Sequence, residues 1–355
     1  MKFKIAVLPG DGIGPEVIEQ AVKVLKSIGK KYNHDFNLSY GLIGASAIDK
    51  TGNPYPDETH RLCMESDAVL FGAIGDPKYD QDPNARVRPE QGLLSMRKKL
   101  GLYANIRPTF TYQSLLEKSP LKSSIAEGVD FITVRELTGG IYFGEPRGRT
   151  EDGQKAFDTC IYTVDEIRRI AEVAFEFASK RKKKVTVVDK ANILATSRLW
   201  RSTLQQMSKD FPGIELEFLY VDAASMRLIL WPKGFDVILT ENLFGDILTD
   251  EASVITGSLG MAPSASIGTH TSVYEPIHGS YPQATGKDIA NPCGTILSAA
   301  MMLEYSMMLV PESEAIKKAV MESIDEGLTT EDISVPGKGK KTSEVGQWIS
   351  ERILR

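Results

Sequence analysis

Short apolar stretches alternate with amphipathic stretches along most of the chain. Five stretches have the pattern of buried strands, namely residues 4–10, 67–74, 128–137, 183–190 and 235–242. Residues 15–29 have helical periodicity instead, with an apolar face formed by Val17, Ile18, Ala21, Val24, Leu25 and Ile28. Helices that alternate with strands predict an α/β fold. No repeat, low-complexity tract or Pro/Ser-rich linker marks a domain boundary in the sequence.

The composition is that of a soluble globular protein, and 355 residues are enough for two domains. A net charge of −5 argues against nucleic acid as a partner, because phosphate binding requires a concentrated basic surface. The basic run at residues 180–184 precedes an apolar strand, so we interpret it as a solvated helix end or turn.

Targeting and redox signals are also weak. Cys63, Cys160 and Cys293 are far apart, which fits a reducing compartment and disfavours both a disulfide framework and a structural zinc site. The apolar stretch at the amino terminus is too short for a signal peptide, and no run reaches membrane-spanning length. We therefore expect a cytoplasmic protein without a membrane partner.

A glycine-rich turn follows the first predicted strand, in the segment VLPGDGIGPEV at residues 7–17. A dinucleotide-binding fingerprint requires G-x-G-x-x-G, whereas here the third glycine comes one place early and Pro15 follows it. The acidic residue expected about 20 positions later is also missing, since that region has the sequence KKYNH. The spacing therefore argues against a Rossmann loop.

Two carboxylates follow the predicted strand at residues 235–242. Asp246 and Asp250 are four residues apart, so a helix would place them on one face. Carboxylate pairs of this kind suit Mg²⁺ or Mn²⁺, and the end of a strand is where open α/β sheets bind ligands. A solvated acidic face is the alternative interpretation. Asp222, in the segment YVDAASM, is a third candidate metal ligand.

A predicted helix that begins at Pro89 has an unusual face. One acidic, two apolar and one basic side chain share it, namely Glu90, Leu93, Leu94 and Arg97. This combination would suit a ligand with a carboxylate and a small branched apolar group, although an ordinary amphipathic helix would also explain it. Arg107 and Arg135 lie in extended segments, and with Arg97 they could grip two carboxylates bidentately.

Two further side chains could transfer protons. Lys190 comes just after the end of a predicted strand, where burial or a neighbouring cation could lower its pKa. Tyr142 follows the flexible pair Gly139–Gly140 and could donate a proton. Taken alone, a single lysine or tyrosine more commonly has a purely structural role than a catalytic one. Residues 275–292 are too rich in Gly, Pro and polar residues for a simple connection and predict a functional loop.

Taken together, these segments resemble one family. LPGDGIGPEV, RPEQGLLSMRK, VRELTGGIYFG, DKAN, YVDA, ENLFGDILTDEAS and EPIHGS…IANP occur in the order typical of the metal-dependent β-decarboxylating dehydrogenases, the isocitrate/isopropylmalate dehydrogenase family. Within it, PEQGLL resembles the members that act on 3-isopropylmalate. The resemblance implies NAD-dependent conversion of 3-isopropylmalate to 2-oxoisocaproate and CO₂ in leucine biosynthesis. Sister substrates are the alternative: isocitrate, homoisocitrate, D-malate or tartrate.

The resemblance also implies roles for the candidate residues. Arg97, Arg107 and Arg135 would hold the substrate carboxylates, and Glu90, Leu93 and Leu94 would meet the isopropyl group and the nicotinamide end of the cofactor. Mg²⁺ or Mn²⁺ would be bound by Asp222, Asp246 and Asp250. Lys190 would accept the hydroxyl proton, and Tyr142 would return a proton after CO₂ leaves; we count Asp222 with these two as catalytic.

For NAD, the resemblance implies contacts from two parts of the sequence. The first glycine-rich turn would pass the nicotinamide ring, with Ile13 against it, and Asn192 would also touch the cofactor. The other contacts would come from Glu275, His278, Gly279, Gln283, Ala284 and Asn291. Members that use NAD usually have an aspartate where this chain has Gln283. Glutamine neither repels nor pairs with a 2′-phosphate, so we expect NAD with weakened discrimination against NADP.

The implied fold has two open α/β domains around a cleft, isopropylmalate dehydrogenase-like and not a Rossmann fold. Residues 1–102 with 257–355 would form the cofactor-binding domain, and residues 103–256 the substrate, metal and dimerisation domain. The implied assembly is a homodimer with shared active sites, in which Lys190 and Asp222 come from the partner subunit.

Overall fold

The computed structural model describes residues 1–81 and 87–355. Its strands, in chain order, are β1 Lys2–Gly10, β2 Asp35–Tyr40, β3 Ala68–Ala73, β4 Leu102–Phe110, β5 Asp130–Glu136, β6 Gly148–Arg149, β7 Ala156–Phe157, β8 Lys184–Asp189, β9 Glu215–Tyr220, β10 Val237–Thr240, β11 Pro263–Gly268 and β12 Val273–Pro276. Its helices are α1 Gly14–Tyr32, α2 Ala45–Thr51, α3 Asp57–Met64, α4 Pro77–Asp80, α5 Pro89–Lys99, α6 Ser123–Ala126, α7 Val164–Ser179, α8 Ala195–Met207, α9 Val221–Leu230, α10 Asn242–Ile255, α11 Cys293–Tyr305, α12 Val310–Asp325 and α13 Thr342–Leu354. The predicted α/β class is confirmed.

The chain divides into two compact units. Unit 1 comprises Met1–Leu102, Tyr112–Lys118 and Thr256–Arg355, and unit 2 comprises Tyr103–Thr111 and Ser119–Ile255. Within the described residues, no helix is long and apolar enough to cross a membrane.

The strands of unit 1 lie in the order β2, β1, β3, β12, β11. β1 pairs in parallel with β2 and β3, β3 pairs in parallel with β12, and β11 runs antiparallel to β12. This order differs from the 3-2-1-4-5-6 order of the Rossmann fold, as the glycine spacing predicted. The parallel register sets Gly10 at the end of β1 beside Ala73 at the end of β3.

Helix α1 confirms the helix predicted at residues 15–29 and extends it. Pro15 stands in its first turn, where a missing backbone N–H costs nothing, and Asn33 ends it in a left-handed conformation. The predicted apolar face is buried and packs against α11 and α13. Helix α11 is buried almost all round because its sequence, CGTILSAAMMLEY, has small or apolar residues on every face.

The strands of unit 2 lie in the order β4, β5, β10, β8, β9. β4 runs antiparallel to β5, whereas β5, β10, β8 and β9 are all parallel to one another. The carboxyl ends of β5, β8 and β10 therefore share one edge, and α10 begins directly after β10. β6 and β7 form a separate two-stranded antiparallel ribbon.

The last of the five predicted strands, residues 235–242, was expected to close the series, but β11 and β12 follow it, so that expectation was wrong. β11 has the sequence PSASIG, which is small and polar, so it has no apolar pattern. β2 and β9 were missed as well. Both have charged or amide residues between their apolar ones and are only partly buried.

The glycine-rich turn after β1 is built for close backbone contact. Gly10 has φ +73°, and a Cβ there would collide with the carbonyl oxygen of Ala73. Asp11 accepts hydrogen bonds from the backbone N–H groups of Ala45, Ser46 and Gly75 at 2.9, 2.9 and 3.0 Å. The turn thus joins β1 to the segments after β3 and before α2.

Gly10→Ala is expected to lower the free energy of unfolding by more than about 3 kcal/mol, since both the left-handed backbone and the collision with Ala73 oppose a Cβ. Gly52→Ala is the matched control, because Gly52 also has φ +73° but nothing lies within 4 Å of its Cβ position. That control should lose only about 1 kcal/mol. Denaturant unfolding of both variants measures the difference, and equal losses would contradict the steric argument.

Candidate functional site

Two predicted arginines lie on neighbouring strands of unit 2. Arg107 on β4 and Arg135 on β5 are 6% and 1% exposed, so both guanidinium groups are buried. Arg135 Nη1 donates to Asp246 Oδ1, and Arg107 Nη1 lies 3.5 Å from Asp250 Oδ1. The two guanidinium groups therefore meet carboxylates of the same helix, α10, whereas the convergence of all three arginines on one substrate stays a prediction.

Asp246 and Asp250 share one face of α10, as their spacing predicted. The pKa of Asp250 is raised above its usual value, mainly by partial burial. The Arg107 guanidinium opposes this shift, and the negative charge of Asp246 adds to it. A divalent cation between the carboxylates would relieve this repulsion. The donors are oxygens only and reach the surface, since the side chains are 38% and 65% exposed, so the pair fits Mg²⁺ or Mn²⁺.

Each arginine is also held by neutral oxygens. Arg107 Nε donates to Asn105 Oδ1 at 2.6 Å, and its Nη1 donates to Thr249 Oγ1 at 2.6 Å. Asn242 plays the equivalent part for Arg135, because its Oδ1 accepts from Nη2 at 2.8 Å and from Nε at 3.3 Å.

Tyr142 joins the same cluster. Its hydroxyl donates to Asp246 Oδ2 at 2.8 Å, while the Arg135 guanidinium lies 6.0 Å from the centre of its ring. One carboxylate, that of Asp246, thus accepts from a predicted substrate-binding arginine and from the predicted proton donor. The structure thus brings together three candidate residues that are distant in sequence, Arg135, Tyr142 and Asp246.

The turn that carries Tyr142 needs glycine because a tyrosine ring lies on it. A Cβ at Gly139 would be 2.7 Å from the Tyr162 ring, and one at Gly140, which has φ +72°, would collide with the Tyr162 hydroxyl. Glu136 holds the same turn from the other side, accepting from the N–H groups of Thr138 and Gly139 at 2.9 and 2.8 Å. Gly139–Gly140 is therefore a packed turn, where the sequence suggested a flexible pair.

Lys190 and Asp222 form a second pair in unit 2. Lys190 follows the end of β8, Asp222 lies in the first turn of α9, and Nζ donates to Oδ1 at 2.7 Å. The hydrogen bond from Lys190 holds the pKa of Asp222 below its usual value. Within residues 1–81 and 87–355 of one chain, no three Asp, Glu, His or Cys side chains converge as a metal site.

In unit 1, helix α5 presents the predicted mixed face. Glu90 is exposed, Leu93 and Leu94 are half-buried, and Arg97 is 8% exposed with Nη2 at 3.6 Å from Glu275 Oε1. Among the residues that the structure describes, the buried Arg97 Nε has no hydrogen-bond partner. A buried donor of this kind is expensive, so it indicates a place for an acceptor that a ligand would bring.

The first glycine turn contacts the predicted cofactor loop of unit 1. The N–H of Ile13 donates to the carbonyl of Ser280 at 2.9 Å, and a Cβ on Gly12 would collide with that same carbonyl. The side chain of Ile13, 3% exposed, packs with Val17, Ala284 and Ala290. Ile13 and Ala284 therefore support the loop with their side chains, and their predicted contact with NAD stays a prediction.

The other predicted cofactor residues fall into two groups. Gly279, Gln283 and Asn192 are exposed. By contrast, Asn291 is engaged within the protein, since its amide donates to Asp332 at 3.0 Å and accepts from the N–H of Cys293 at 3.0 Å. His278 Nδ1 donates to the carbonyl oxygen of Gly279 at 2.9 Å. Its Nε2 is buried and has no hydrogen-bond partner among the described residues, and burial lowers the pKa of the imidazole.

Several residues of the site were missed from sequence. Asn105 lies two residues before Arg107, so both point to one face of β4, and Asn242 lies four residues before Asp246 on α10. These spacings were a usable signal. Glu16 had no such signal in the sequence, because its carboxylate accepts from the N–H groups of Gly286 and Asp288, which are 270 or more residues away.

Glu241 is a buried carboxyl group between β10 and α10, 5% exposed. Burial, together with the negative charges of Asp189 and Glu136, raises its pKa to about 7. Glu136 itself is buried, and its pKa is also raised by burial. The edge of the sheet that carries the site thus also carries a carboxyl group that titrates near neutrality.

The chain was compared with known proteins. The sequence profile of the isocitrate/isopropylmalate dehydrogenase family matches residues 4–349. A 3-isopropylmalate dehydrogenase of Bacteroides fragilis is 56% identical over 100% of both chains, and one of Bacillus subtilis is 50% identical over 100% of this chain and 98% of its own.

Solved structures give the same picture. An isocitrate dehydrogenase from Methylococcus capsulatus aligns with a TM-score of 0.88 at 34% identity, covering 99% of this chain and 100% of its own. A β-decarboxylating dehydrogenase from Thermococcus kodakarensis has a TM-score of 0.80 at 35% identity, covering 99% and 96%.

The raised pKa of Glu241 makes stability depend on pH. Since the folded-state pKa of about 7 lies above the unfolded value of 4.5, the stabilising protonated form is fully present below pH 4.5 and lost as pH rises through 7. Relative to Glu241→Gln, the wild-type chain should lose roughly 3 kcal/mol of unfolding free energy between pH 4.5 and 8. Denaturant unfolding at both pH values measures this, and parallel pH curves for the two proteins would contradict it.

Proposed function

This chain belongs to the isocitrate/isopropylmalate dehydrogenase family, and we propose that it oxidises 3-isopropylmalate with NAD and releases 2-oxoisocaproate and CO₂, a step of leucine biosynthesis. The observation that carries the proposal is the double contact of Asp246 with Arg135 and Tyr142. It brings a carboxylate-binding group and a proton donor to one carboxylate that suits a divalent cation.

The arginines supply the recognition of a dicarboxylate. Arg107 and Arg135 are buried and fixed, so their guanidinium groups offer planar pairs of donors with little motion left to lose. In unit 1, Arg97 on α5 has a buried Nε donor that a carboxylate oxygen of the ligand would satisfy.

Asp246 and Asp250, with Asp222 of a second subunit, would hold Mg²⁺ or Mn²⁺. Bound there, the cation would polarise the substrate oxygen on C2, which favours both oxidation and loss of CO₂. The carboxylates of α10 would hold this cation beside Arg107 and Arg135, and their partial exposure leaves them accessible to a substrate.

Proton transfer falls to Lys190 and Tyr142. The ammonium group of Lys190 is oriented by Asp222, and as a neutral amine it would accept the proton of the substrate hydroxyl. The hydroxyl of Tyr142 is aimed by Asp246 Oδ2 and would donate a proton to the carbon that loses CO₂. Gly139–Gly140, packed under Tyr162, keeps that hydroxyl in place.

The α5 face supports the choice of substrate. Leu93 and Leu94 are half-buried apolar groups beside the carboxyl of Glu90, and Leu93 also packs against the core of unit 1. The two leucines suit an isopropyl group, and the carboxyl group of Glu90 beside them disfavours a third carboxylate there. The two relatives at 50% and 56% identity carry the name 3-isopropylmalate dehydrogenase, which also favours this substrate over isocitrate.

NAD would supply the hydride acceptor. Glu16 fixes the loop around Gly286 and Asp288, and Ile13 fixes it at Ser280, so the loop has a defined shape for the adenosine end. Gln283 is exposed on this loop and carries no charge, which allows NAD to be preferred only modestly over NADP. We place the reaction in the cytoplasm, where NAD is available and the three cysteines stay free thiols.

We also propose a homodimer, for which the exposed apolar side chains of α9 and α10 are the support. Both helices carry such groups on their surfaces: Met226, Ile229 and Leu230 on α9 and Ile247 and Val254 on α10, with Leu230 70% exposed. Trp231, at the end of α9, adds a 58% exposed ring. A patch of this kind marks a protein interface.

The placement of Asp222 connects this interface to catalysis. Asp222 lies on α9 itself, one turn before Met226. Close to its partner Lys190 in sequence is Ile193, which is 66% exposed. A second copy that covers the apolar side chains would approach this pair as well. Lys190 and Asp222 would thus serve the site of the partner subunit.

The proposed function is tested by reduction of NAD and NADP with a panel of substrates. We expect the highest kcat/KM with 3-isopropylmalate and NAD, a lower value with NADP, and loss of turnover when EDTA removes the divalent cation. Isocitrate, homoisocitrate, D-malate and tartrate complete the panel. Turnover of any of these at an equal or higher kcat/KM would refute the substrate assignment, and an equal kcat/KM with NADP would refute the cofactor preference.

The shared site predicts complementation between two inactive variants. Lys190→Ala damages the residue given to the partner, and Asp246→Ala damages the subunit's own residue, so a mixed dimer has one intact site. Random pairing should restore about a quarter of wild-type turnover. Lys190→Ala mixed with Asp222→Ala is the matched control and should stay inactive, since each mixed site still receives a damaged residue. Differently tagged chains verify pairing; verified mixed dimers of the first pair without turnover would refute sharing.

A further inference from the structure

Asn242, the first residue of α10, contacts three separate parts of the site. It is 1% exposed. Its Oδ1 accepts from Arg135 Nη2 at 2.8 Å and Nε at 3.3 Å, and its Nδ2 donates to the carbonyl of Gly139 at 3.2 Å. Its backbone N–H donates to the hydroxyl of Tyr162 at 3.0 Å. One buried amide thus touches the arginine and the turn that leads to Tyr142.

The contact with Gly139 restrains the Tyr142 turn from a second side. Glu136 accepts from the N–H of Gly139 at 2.8 Å, whereas Asn242 donates to its carbonyl, so both polar groups of that residue are tied. The ring of Tyr162 fills the space above the turn. The position of the Tyr142 hydroxyl therefore depends on a peptide unit that Asn242 helps to fix.

Asn242 also shares a helix face with the carboxylates. It precedes Asp246 by four residues and Asp250 by eight, so the three side chains project from the same side of α10. Gly245 lets this helix approach Arg135, because a Cβ there would be 2.6 Å from Arg135 Cγ. The arginine side chain lies across the first turn of α10, with Asn242 at one end of its guanidinium and Asp246 at the other.

We propose that Asn242 is a positioning residue that fixes the Arg135 guanidinium and the Gly139–Tyr142 turn relative to each other. The proposal rests on the function proposed above. Its physical basis is that a neutral amide orients the guanidinium without cancelling its charge, and that the same amide carries the donor for Gly139. Loss of a hydrogen bond to a charged group should weaken binding through Arg135 about tenfold.

A double-mutant cycle with the full chain separates positioning from general stability. We would measure the Kd of 3-isopropylmalate by calorimetry with Mg²⁺ present, for wild type, Asn242→Ala, Arg135→Lys and the double variant. Asn242→Ala should raise the Kd about tenfold in the wild-type background. The Arg135→Lys background lacks the guanidinium group that Asn242 holds. There, Asn242→Ala should raise the Kd by a further factor of less than about three. The kcat of Asn242→Ala should fall as well, because the Tyr142 turn loses one tie.

Two further variants keep the test decisive. Asn242→Ser keeps a polar group at the helix start but is too short to reach the guanidinium, so it carries the same expectation if the alanine variant does not fold. Thr186→Val is the matched control: it removes a partly buried hydrogen bond of unit 2, from Thr186 Oγ1 to Glu217 at 3.1 Å. It should lower the melting temperature while the Kd stays that of wild type.

The outcomes are distinguishable. A wild-type Kd for the folded Asn242 variants, or the same factor in both Arg135 backgrounds, would overturn the positioning role and leave the proposed function intact. A wild-type chain that neither binds nor turns over 3-isopropylmalate would refute the proposed function, and the inference about Asn242 would fall with it.

Discussion

The buried positive charge of Arg135 is the constraint on which the site in unit 2 depends. A guanidinium group that is 1% exposed is tolerated only if its donors meet acceptors. Asp246 and Asn242 on α10 supply them, and Gly245 between these residues lets the helix come close enough. The start of α10 directly after β10 is therefore required by the arginine on the neighbouring strand β5. Asp250 and Tyr142 take their places from this one packing arrangement.

Unit 1 depends on a buried charge of the opposite sign, which is satisfied by different means. Asp11 is 6% exposed, and three backbone N–H groups, from Ala45, Ser46 and Gly75, meet its carboxylate. Charge-assisted bonds to backbone amides fix the chain itself, so this carboxylate shapes the turn and leaves no charge for a ligand. The three glycines of GDGIG serve that close packing. The glycine-rich turn after β1 is a backbone junction.

The placement of the candidate residues of unit 2 could be predicted from local spacing because they lie on regular elements, whereas their roles were implied only by the family resemblance. Asp246 and Asp250 needed only the helical period, and Arg107 and Arg135 needed only the two strands that carry them. Tyr162 could not be found this way: it packs on a turn some 20 residues earlier, and nothing in its own segment indicates that contact. β11 was missed for a related reason. Its small polar residues have no hydrophobic pattern of their own, and they are buried because α11 and β12 pack against them. Local patterns report which faces are apolar, whereas tertiary partners decide the rest.

The neutral partners of the arginines hold the guanidinium groups rigidly without compensating their positive charge. Asn105, Thr249 and Asn242 offer amide or hydroxyl oxygens at 2.6 to 2.8 Å, which orient the guanidinium groups and leave their charge in place. A carboxylate at any of these positions would hold the arginine more strongly, but it would compete with the carboxylates of a ligand. The acidic partners, Asp246 and Asp250, lie instead at the outer, more exposed edge. There they are accessible to the proposed cation, while the neutral contacts hold the arginines. Orientation and charge compensation are thus assigned to different residues.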